Sequence, residues 1–251
     1  MHRLLQMAVN RAIILAAGLG LRLRGTIDDR PKGLIEFGGE TLVGRSIRLL
    51  REAGTVRISV VLGYHADQYR ALVRALPYVD VVENTAYATT GSMASLDAAL
   101  GDVVEPTLIL ESDILYERRA LDSVSVAAGC ATLVSGATNA GDEVWVHAVD
   151  GRLIAMSKER ARLPATVGEF VGITRITKNA AARMREVFRT FVAREGHGQM
   201  AYETGALVDL AASTPVGVVR VPDLIWGEID DESQYQRVAT SVWPAIRARE
   251  Q

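Results

Sequence analysis

The sequence predicts an α/β fold: a mostly parallel, mixed central sheet with helices on both faces and an antiparallel elaboration in the second half. Three observations lead there. Apolar runs of strand length recur through the first 135 residues, helical periodicity fills the gaps between them, and the alternation changes after that point to strands that follow one another directly. In chain order, the strands of the first half fall at Ala12–Ala16, Val56–Leu62, Val79–Val82, Thr107–Leu110 and Ala131–Val134. Between the first two, Val43, Ile47 and Leu50 recur at helical spacing while Arg45, Arg48 and Arg51 take another face, and Ala66–Leu76 reads as a second helix. Strands separated by helices pair in parallel and are covered on both sides. In the second half, "EVWVHAVDGRLIAMS" reads as a hairpin turning at Asp150-Gly151, and "GEFVGITRI" as a further strand. A long helix follows with Met184, Val187, Phe188, Phe191 and Val192 on one stripe, then the strand "VGVVRV" and a C-terminal segment from about Asp231 to Arg247.

Composition narrows the class of function. The chain has 251 residues, 49% hydrophobic and 23% charged, with a formal net charge of -2. That balance lacks the basic excess of a nucleic-acid or membrane-surface binder, so any polyanion handled here is expected to be small. No stretch approaches the roughly 20 apolar residues of a membrane span. Asn10 and Arg11 interrupt the N-terminal apolar run, which speaks against a signal peptide. The single cysteine, Cys130, lies in an apolar stretch and fits a reducing cytoplasm. There is no Pro/Ser-rich linker and no repeat, so one domain over residues 1–251 is expected, and a homodimer is left open.

The opening strand ends abruptly in "LAAGLGLRLRGTIDDRPKGLIEFGG". Glycines at a strand end let the backbone turn tightly and bring N–H groups close to a phosphate. The dinucleotide fingerprint fails because Leu23 stands where a third glycine belongs, and the P-loop fails because Arg24-Gly25-Thr26 replaces Gly-Lys-Ser/Thr. What remains is Gly18-x-Gly20-x-Arg22 with Lys32 ten residues on: a guanidinium and an ammonium for a cluster of phosphates.

Two acidic positions stand out. Asp113 follows "TLIL", which puts it at the C-terminal end of a strand, where ligands of open α/β sheets bind. Glu228 and Asp230 follow "VVRVPDLIW" and share a face if that segment is extended. Carboxylates from distant strands suit Mg²⁺, which takes one or two of them and fills its shell with phosphate and water. The alternative is that Asp113 and Asp230 each cap a following helix. His2, His65, His147 and His197 have no metal-ligand spacing.

"LAAGLGLRL", "RPKGLIEFGGETLV", "GYHADQ", "ENTAYATTGSMASL", "ILESDILYE" and "WGEIDDESQYQRV", in that order, resemble the nucleotidyltransferases that activate sugar phosphates and phosphoryl alcohols with an NTP. Within them the pattern is most similar to the cytidylyltransferases of phosphocholine and of phosphonates such as 2-aminoethylphosphonate, from about residue 11 to 240. One departure is Arg-Leu-Arg-Gly-Thr where many relatives carry Arg-x-x-Pro-Leu-Thr ahead of the lysine. The resemblance implies a single Rossmann-like nucleotidyltransferase domain, with residues 1–135 mainly for the NTP and 136–251 mainly for the acceptor. It implies CTP and a small phosphorylated or phosphonate acceptor as partners, with pyrophosphate as product. Arg22 and Lys32 become catalytic, Asp113 and Asp230 the Mg²⁺ ligands. Leu15, Ala16, Ala17, Gly18, Gly20, Thr90, Gly91 and Ser92 become nucleotide contacts. For the hydroxyls of Thr90 and Ser92, capping of the helix that follows is an equal reading.

For the acceptor, Lys158 is a candidate contact to the phosphoryl group. Glu143, Trp145, Glu169, Tyr202 and Glu203 are candidates for an amine cage built on charge and cation–π contact, with Glu228 nearby. Any one of them could equally be a solvated charge or a packing residue. A uridylyltransferase acting on a sugar 1-phosphate or polyol phosphate, or a nucleotide-binding module without chemistry, are the other readings.

Overall fold

The computed structural model describes residues 9–19, 30–101 and 103–250. Gly20 and Arg22 lie outside them. The chain opens with β1 (Arg11–Ala16), a 3₁₀ turn at Lys32–Leu34 and a small hairpin, β2 (Glu36–Phe37) and β3 (Glu40–Thr41), leading into α1 (Leu42–Glu52). β4 (Arg57–Leu62), α2 (Ala66–Val73), β5 (Val79–Glu83), α3 (Ser92–Leu100) and β6 (Thr107–Glu111) continue the alternation. Then come β7 (Ile114–Tyr116), α4 (Arg119–Ser125), β8 (Cys130–Ser135), β9 (Trp145–Val149), β10 (Arg152–Ser157) and β11 (Gly168–Ile176). α5 (Lys178–Glu195), a π turn at Tyr202–Leu207, α6 (Val208–Ala211), β12 (Val216–Val221) and β13 (Trp226–Glu228) follow. The chain closes through α7 (Glu232–Arg237), a second π turn at Val238–Val242, and α8 (Trp243–Glu250).

Nine strands form the main sheet in the order β5-β4-β1-β6-β11-β8-β12-β10-β9. β5, β4, β1 and β6 are parallel, so their C-terminal ends open on one side. β11 enters antiparallel between β6 and β8, while β8 and β12 pair in parallel. The antiparallel part does not stay open. β11 also pairs with β9 through Gly168 and Glu169, closing β11, β8, β12, β10 and β9 into a ring. The β9–β10 hairpin turns at Asp150-Gly151, both at positive φ (50° and 72°), as a two-residue hairpin turn demands.

Side-chain alternation divides the interior. Ala12, Ile14 and Ala16 of β1, with Ile58, Val60 and Leu62 of β4, meet Val43, Ile47 and Leu50 of α1 on one face. Ile13 and Val61 face the other way, onto Met93 and Leu96 of α3 and Ala180 and Met184 of α5. Each fully buried aliphatic side chain contributes about 1.5–3 kcal/mol relative to exposure. Of the expected α5 stripe, Met184 is fully buried, Val187, Phe188 and Phe191 pack partly against this core, and Val192 at the far end is exposed. A third cluster joins the C-terminal helices (Val238, Val242, Ile246) to Phe37 and Leu115. No described helix is long and apolar enough to cross a membrane.

Candidate active site

The C-terminal ends of the parallel strands line a cleft of about 250 Å³. Its walls include Leu15, Ala17, Gly18, Thr90, Gly91, Ser92, Asp113, Glu203 and Glu228. Ala16 lies buried beneath as the last residue of β1. Gly91 must be glycine on steric grounds alone: a Cβ there would collide with the main chain of Met200, and its N–H donates to the Gly198 carbonyl (2.9 Å). The hydroxyls beside it do not cap α3, whose N-cap is Gly91 with no side-chain bond. Instead Thr90 donates to the Ala86 carbonyl (2.9 Å). Ser92 Oγ accepts from the Tyr202 N–H (2.8 Å) and reaches Glu203 (3.4 Å).

Lys32, Asp113 and Asp230, separated by up to 198 positions in the chain, meet at the cleft. The Lys32 ammonium donates to Asp113 (3.2 Å) and makes a closer ion pair with Asp230. The 3₁₀ turn carrying Lys32 is held from below, because Gly33 packs so tightly on Tyr69 and Val43 that an added Cβ would lie 2.7 Å from each. Burial by itself lowers the pKa of Lys32; the charges of Asp113 and Asp230 outweigh it, so the ammonium is held above its ordinary range.

Neither aspartate is a helix cap. The residue after Asp113 begins β7, not a helix, and the cap of α7 is Asp231, whose side chain accepts from Gln234 N (2.9 Å). Asp113 and Asp230 are brought together by a short antiparallel ladder, β7 against β13, in which Glu228 stands opposite Ile114. The Ile229 N–H donates to the Asp113 carbonyl (3.0 Å), extending the ladder by one step.

The carboxylates crowd one another. Oxygens of Glu111, Asp113 and Glu228 lie within 4.8 Å of each other, and so do those of Asp142, Glu228 and Asp230. Burial, then repulsion from Glu203, Glu228 and Asp113, pushes the Glu111 pKa well up. Burial, then Asp113 and Asp230, does the same for Glu228, with Lys32 acting against it. An all-oxygen set under this like-charge strain fits a hard divalent cation such as Mg²⁺.

Of the residues proposed for the acceptor, Trp145 and Glu169 stand directly opposite each other across the β9–β11 pairing, with Glu143 near enough to act on the Glu169 charge. Glu203 and Glu228 line the cleft. Tyr202 cannot wall a cage: it is fully buried against Phe170, with its hydroxyl 3.4 Å from that of Thr174. The face of Trp145 carries the Arg160 guanidinium, 4.6 Å from the ring centre. Glu169 is buried and accepts from Thr138 N (2.7 Å) and Oγ1 (3.0 Å). Burial pushes its pKa up to about 7, against the opposing Thr138 bonds. Glu143 accepts from Gly141 N (3.3 Å), and Lys158 is exposed beyond the end of β10. The β9–β11 contact that closes the ring is what sets Trp145 opposite Glu169, while Glu143, Lys158 and Tyr202 lie off its strands.

Four cleft residues, Tyr87, Ser95, Glu111 and Ser112, were not anticipated. Glu111 was accessible to reasoning, since it sits two residues before Asp113 and shares the alternation that aims that side chain. Asp142 was not: it lies in the irregular segment between β8 and β9, and only the fold carries it to Glu228.

Residues 12–165 match the MobA-like NTP transferase domain. The chain belongs to this family. It is 31% identical over 196 residues to the 2-aminoethylphosphonate cytidylyltransferase of Lancefieldella rimae, covering 76% of this chain and 77% of that one. It is 37% identical over 107 residues to the choline-phosphate cytidylyltransferase of Streptococcus pneumoniae, 43% of this chain and 46% of that one. Among solved structures, the inositol-1-phosphate CTP transferase from T. maritima superposes with a TM-score of 0.78 at 20% identity, covering 96% of each chain. The CTP:phosphocholine cytidylyltransferase from S. pneumoniae gives 0.77 at 21% identity, covering 91% of this chain and 97% of that one. The two superpositions share the nucleotidyltransferase fold, with its mixed sheet, that the resemblance implied.

Proposed function

We propose that this nucleotidyltransferase is a Mg²⁺-dependent cytidylyltransferase that transfers CMP from CTP to a small amine-bearing phosphonate or phosphate monoester. 2-Aminoethylphosphonate is preferred over phosphocholine. The observation that carries the reading is the ion pairing of Lys32 and, through it, Asp230 with Asp113, which lines the cleft beside Glu111, Glu203 and Glu228.

An oxygen of the acceptor's phosphoryl group attacks the α-phosphorus of CTP, the α–β bridging bond breaks, and its electron pair leaves with pyrophosphate. A phosphate monoester is already close to dianionic near neutral pH, so no protein base is required. The protein holds two anions in line and offsets their charge. Leu15–Gly18, with Gly20 and Thr90–Ser92, cradle the nucleotide. Asp113 and Asp230 hold Mg²⁺, which when bound supplies charge neutralisation at the triphosphate. Arg22 and Lys32 add positive charge, and Lys32 is poised to exchange its carboxylate partners for phosphate oxygens.

The amine preference follows from what the cleft offers. A primary ammonium needs acceptors for its three donors, whereas a quaternary one needs aromatic walls. Glu111, Glu203 and Glu228 offer three acceptors against one aromatic in the lining, Tyr87, while Trp145 is stacked under Arg160 and Tyr202 is in the core. Pyrophosphate release measured for the four NTPs against 2-aminoethylphosphonate, phosphocholine, inositol 1-phosphate and a sugar 1-phosphate tests this. CTP with aminoethylphosphonate should give the highest kcat/KM. A faster rate with UTP and a sugar 1-phosphate would overturn the amine and CTP assignments and leave nucleotidyl transfer standing.

A further inference from the structure

Glu117 is a buried carboxylate (2% exposed) that no step above uses. It stands at the end of the β7–β13 ladder opposite the cleft. There its own N–H donates to the Ile225 carbonyl (3.0 Å), and its Oε1 accepts from the Ile225 N–H (3.0 Å). The side chain thus closes the ladder where the main chain stops. Arg119 grips the same carboxylate through Nε (3.1 Å) and Nη2 (2.9 Å), and Arg249 of α8 through Nη1 (3.1 Å). Both arginines also donate to the Asp223 carbonyl, at 2.9 and 3.2 Å, which fixes the approach of the chain to β13.

The ladder needs such a clamp. It has three residue pairs and belongs to neither the main sheet nor the β2–β3 hairpin. A two-stranded pairing this short is marginal alone, and a slip of one residue would turn Glu228 to the opposite face. Four residues of strand, about 13 Å, separate Glu117 from Asp113. We propose that Glu117, held by Arg119 and Arg249, is a positioning residue for the acidic site: it sets the β7–β13 register and with it the placement of Asp113 against Glu228 and Asp230. The proposal rests on the reading of Asp113 and Asp230 as metal ligands.

The test uses the full chain and Mn²⁺ as probe, with binding followed by EPR in the presence of α,β-methylene-CTP, alongside the Mg²⁺ concentration for half-maximal turnover. Glu117→Ala should raise both roughly tenfold, the lower end of the effect of groups that orient metal ligands. Arg249→Ala, at an exposed side chain that supplies one of the two arginine contacts, should raise them about threefold. Glu117→Gln keeps an acceptor for Ile225 and should fall between wild type and Glu117→Ala. A purely structural clamp would lower the melting temperature and leave both metal constants unchanged in Arg249→Ala and Glu117→Gln, and that result overturns the proposal. Asp113→Asn is the reference: if it does not weaken Mn²⁺ binding, the metal reading falls and this proposal with it. If it does and the clamp variants do not, only the proposal falls.

Discussion

Lys32, Asp113 and Asp230 come from three distant stretches of chain and join in one ion-pair cluster, whereas Trp145 and Glu169, directly opposite each other across the β9–β11 pairing, are each engaged elsewhere, Trp145 by Arg160 and Glu169 by Thr138. The difference lies in the architecture under each group. Asp113 lies just beyond β6, a parallel strand whose C-terminal end opens on the cleft, and the β7–β13 ladder and the 3₁₀ turn of Lys32 bring Asp230 and the ammonium to it. In the second half, pairing of β9 with β11 sets Trp145 opposite Glu169, while Glu143 lies in the irregular segment before β9 and Tyr202 in a π turn. Nearness in sequence then says little about convergence.

The sharpest way to break the comparison is at its strong end. Asp113→Ala should lower turnover by about 10³-fold or more, because an anionic ligand is lost where charge is transferred. Pyrophosphate release at saturating CTP, with circular dichroism as the check on folding, measures it, and near-wild-type Mg²⁺-dependent rates would remove Asp113 from the site.

A smaller effect separates the acceptor candidates that line the cleft from those that do not. Glu203→Gln should raise the acceptor KM roughly tenfold, the size expected for one hydrogen bond to a charged group. Lys158→Ala should change it by less than about twofold, as expected for a solvated charge making no contact in the cleft. The reverse ranking would mean that the exposed end of β10 folds over the acceptor.

The smallest effect concerns Glu169, buried in the ring. Its pKa, raised from 4.5 to about 7, lies above that of the unfolded chain, so the folded protein holds a proton that the unfolded chain releases. This contribution to stability is fully present below about pH 4.5 and is lost as pH rises toward about 7. Glu169→Gln, which cannot ionise, should flatten that part of the pH dependence in urea melts. An unchanged slope would place the Glu169 carboxylate in water.

Much of the scaffold was legible along the chain. The runs at β1, β4, β6 and β8 carry their burial in their own residues, and the hairpin turn at Asp150-Gly151 announces itself through residues that accept positive φ. Helix caps were less legible. Adjacent aspartates at 230 and 231 are chemically alike, and only the backbone shows that Asp231 caps α7 while Asp230 pairs with Lys32. Aromatic residues were the least legible: Tyr202 and Trp145 suit a cation cage by chemistry, yet one is core and the other is stacked under an arginine.

Alternation and the glycine motif are local properties, and they suffice to say that β1 runs into glycines at 18 and 20, that Asp113 follows an apolar segment and that Lys32 precedes one. Which carboxylates share a site is a non-local property. It depends on the register of a three-residue ladder, on the closing of β11 onto β9, and on loops such as the one bearing Asp142, each set by contacts between residues far apart in the chain. No pattern within a short window records such contacts, so the joining of Asp142, Glu228 and Asp230 with the Glu111–Asp113 pair became visible only in the folded chain.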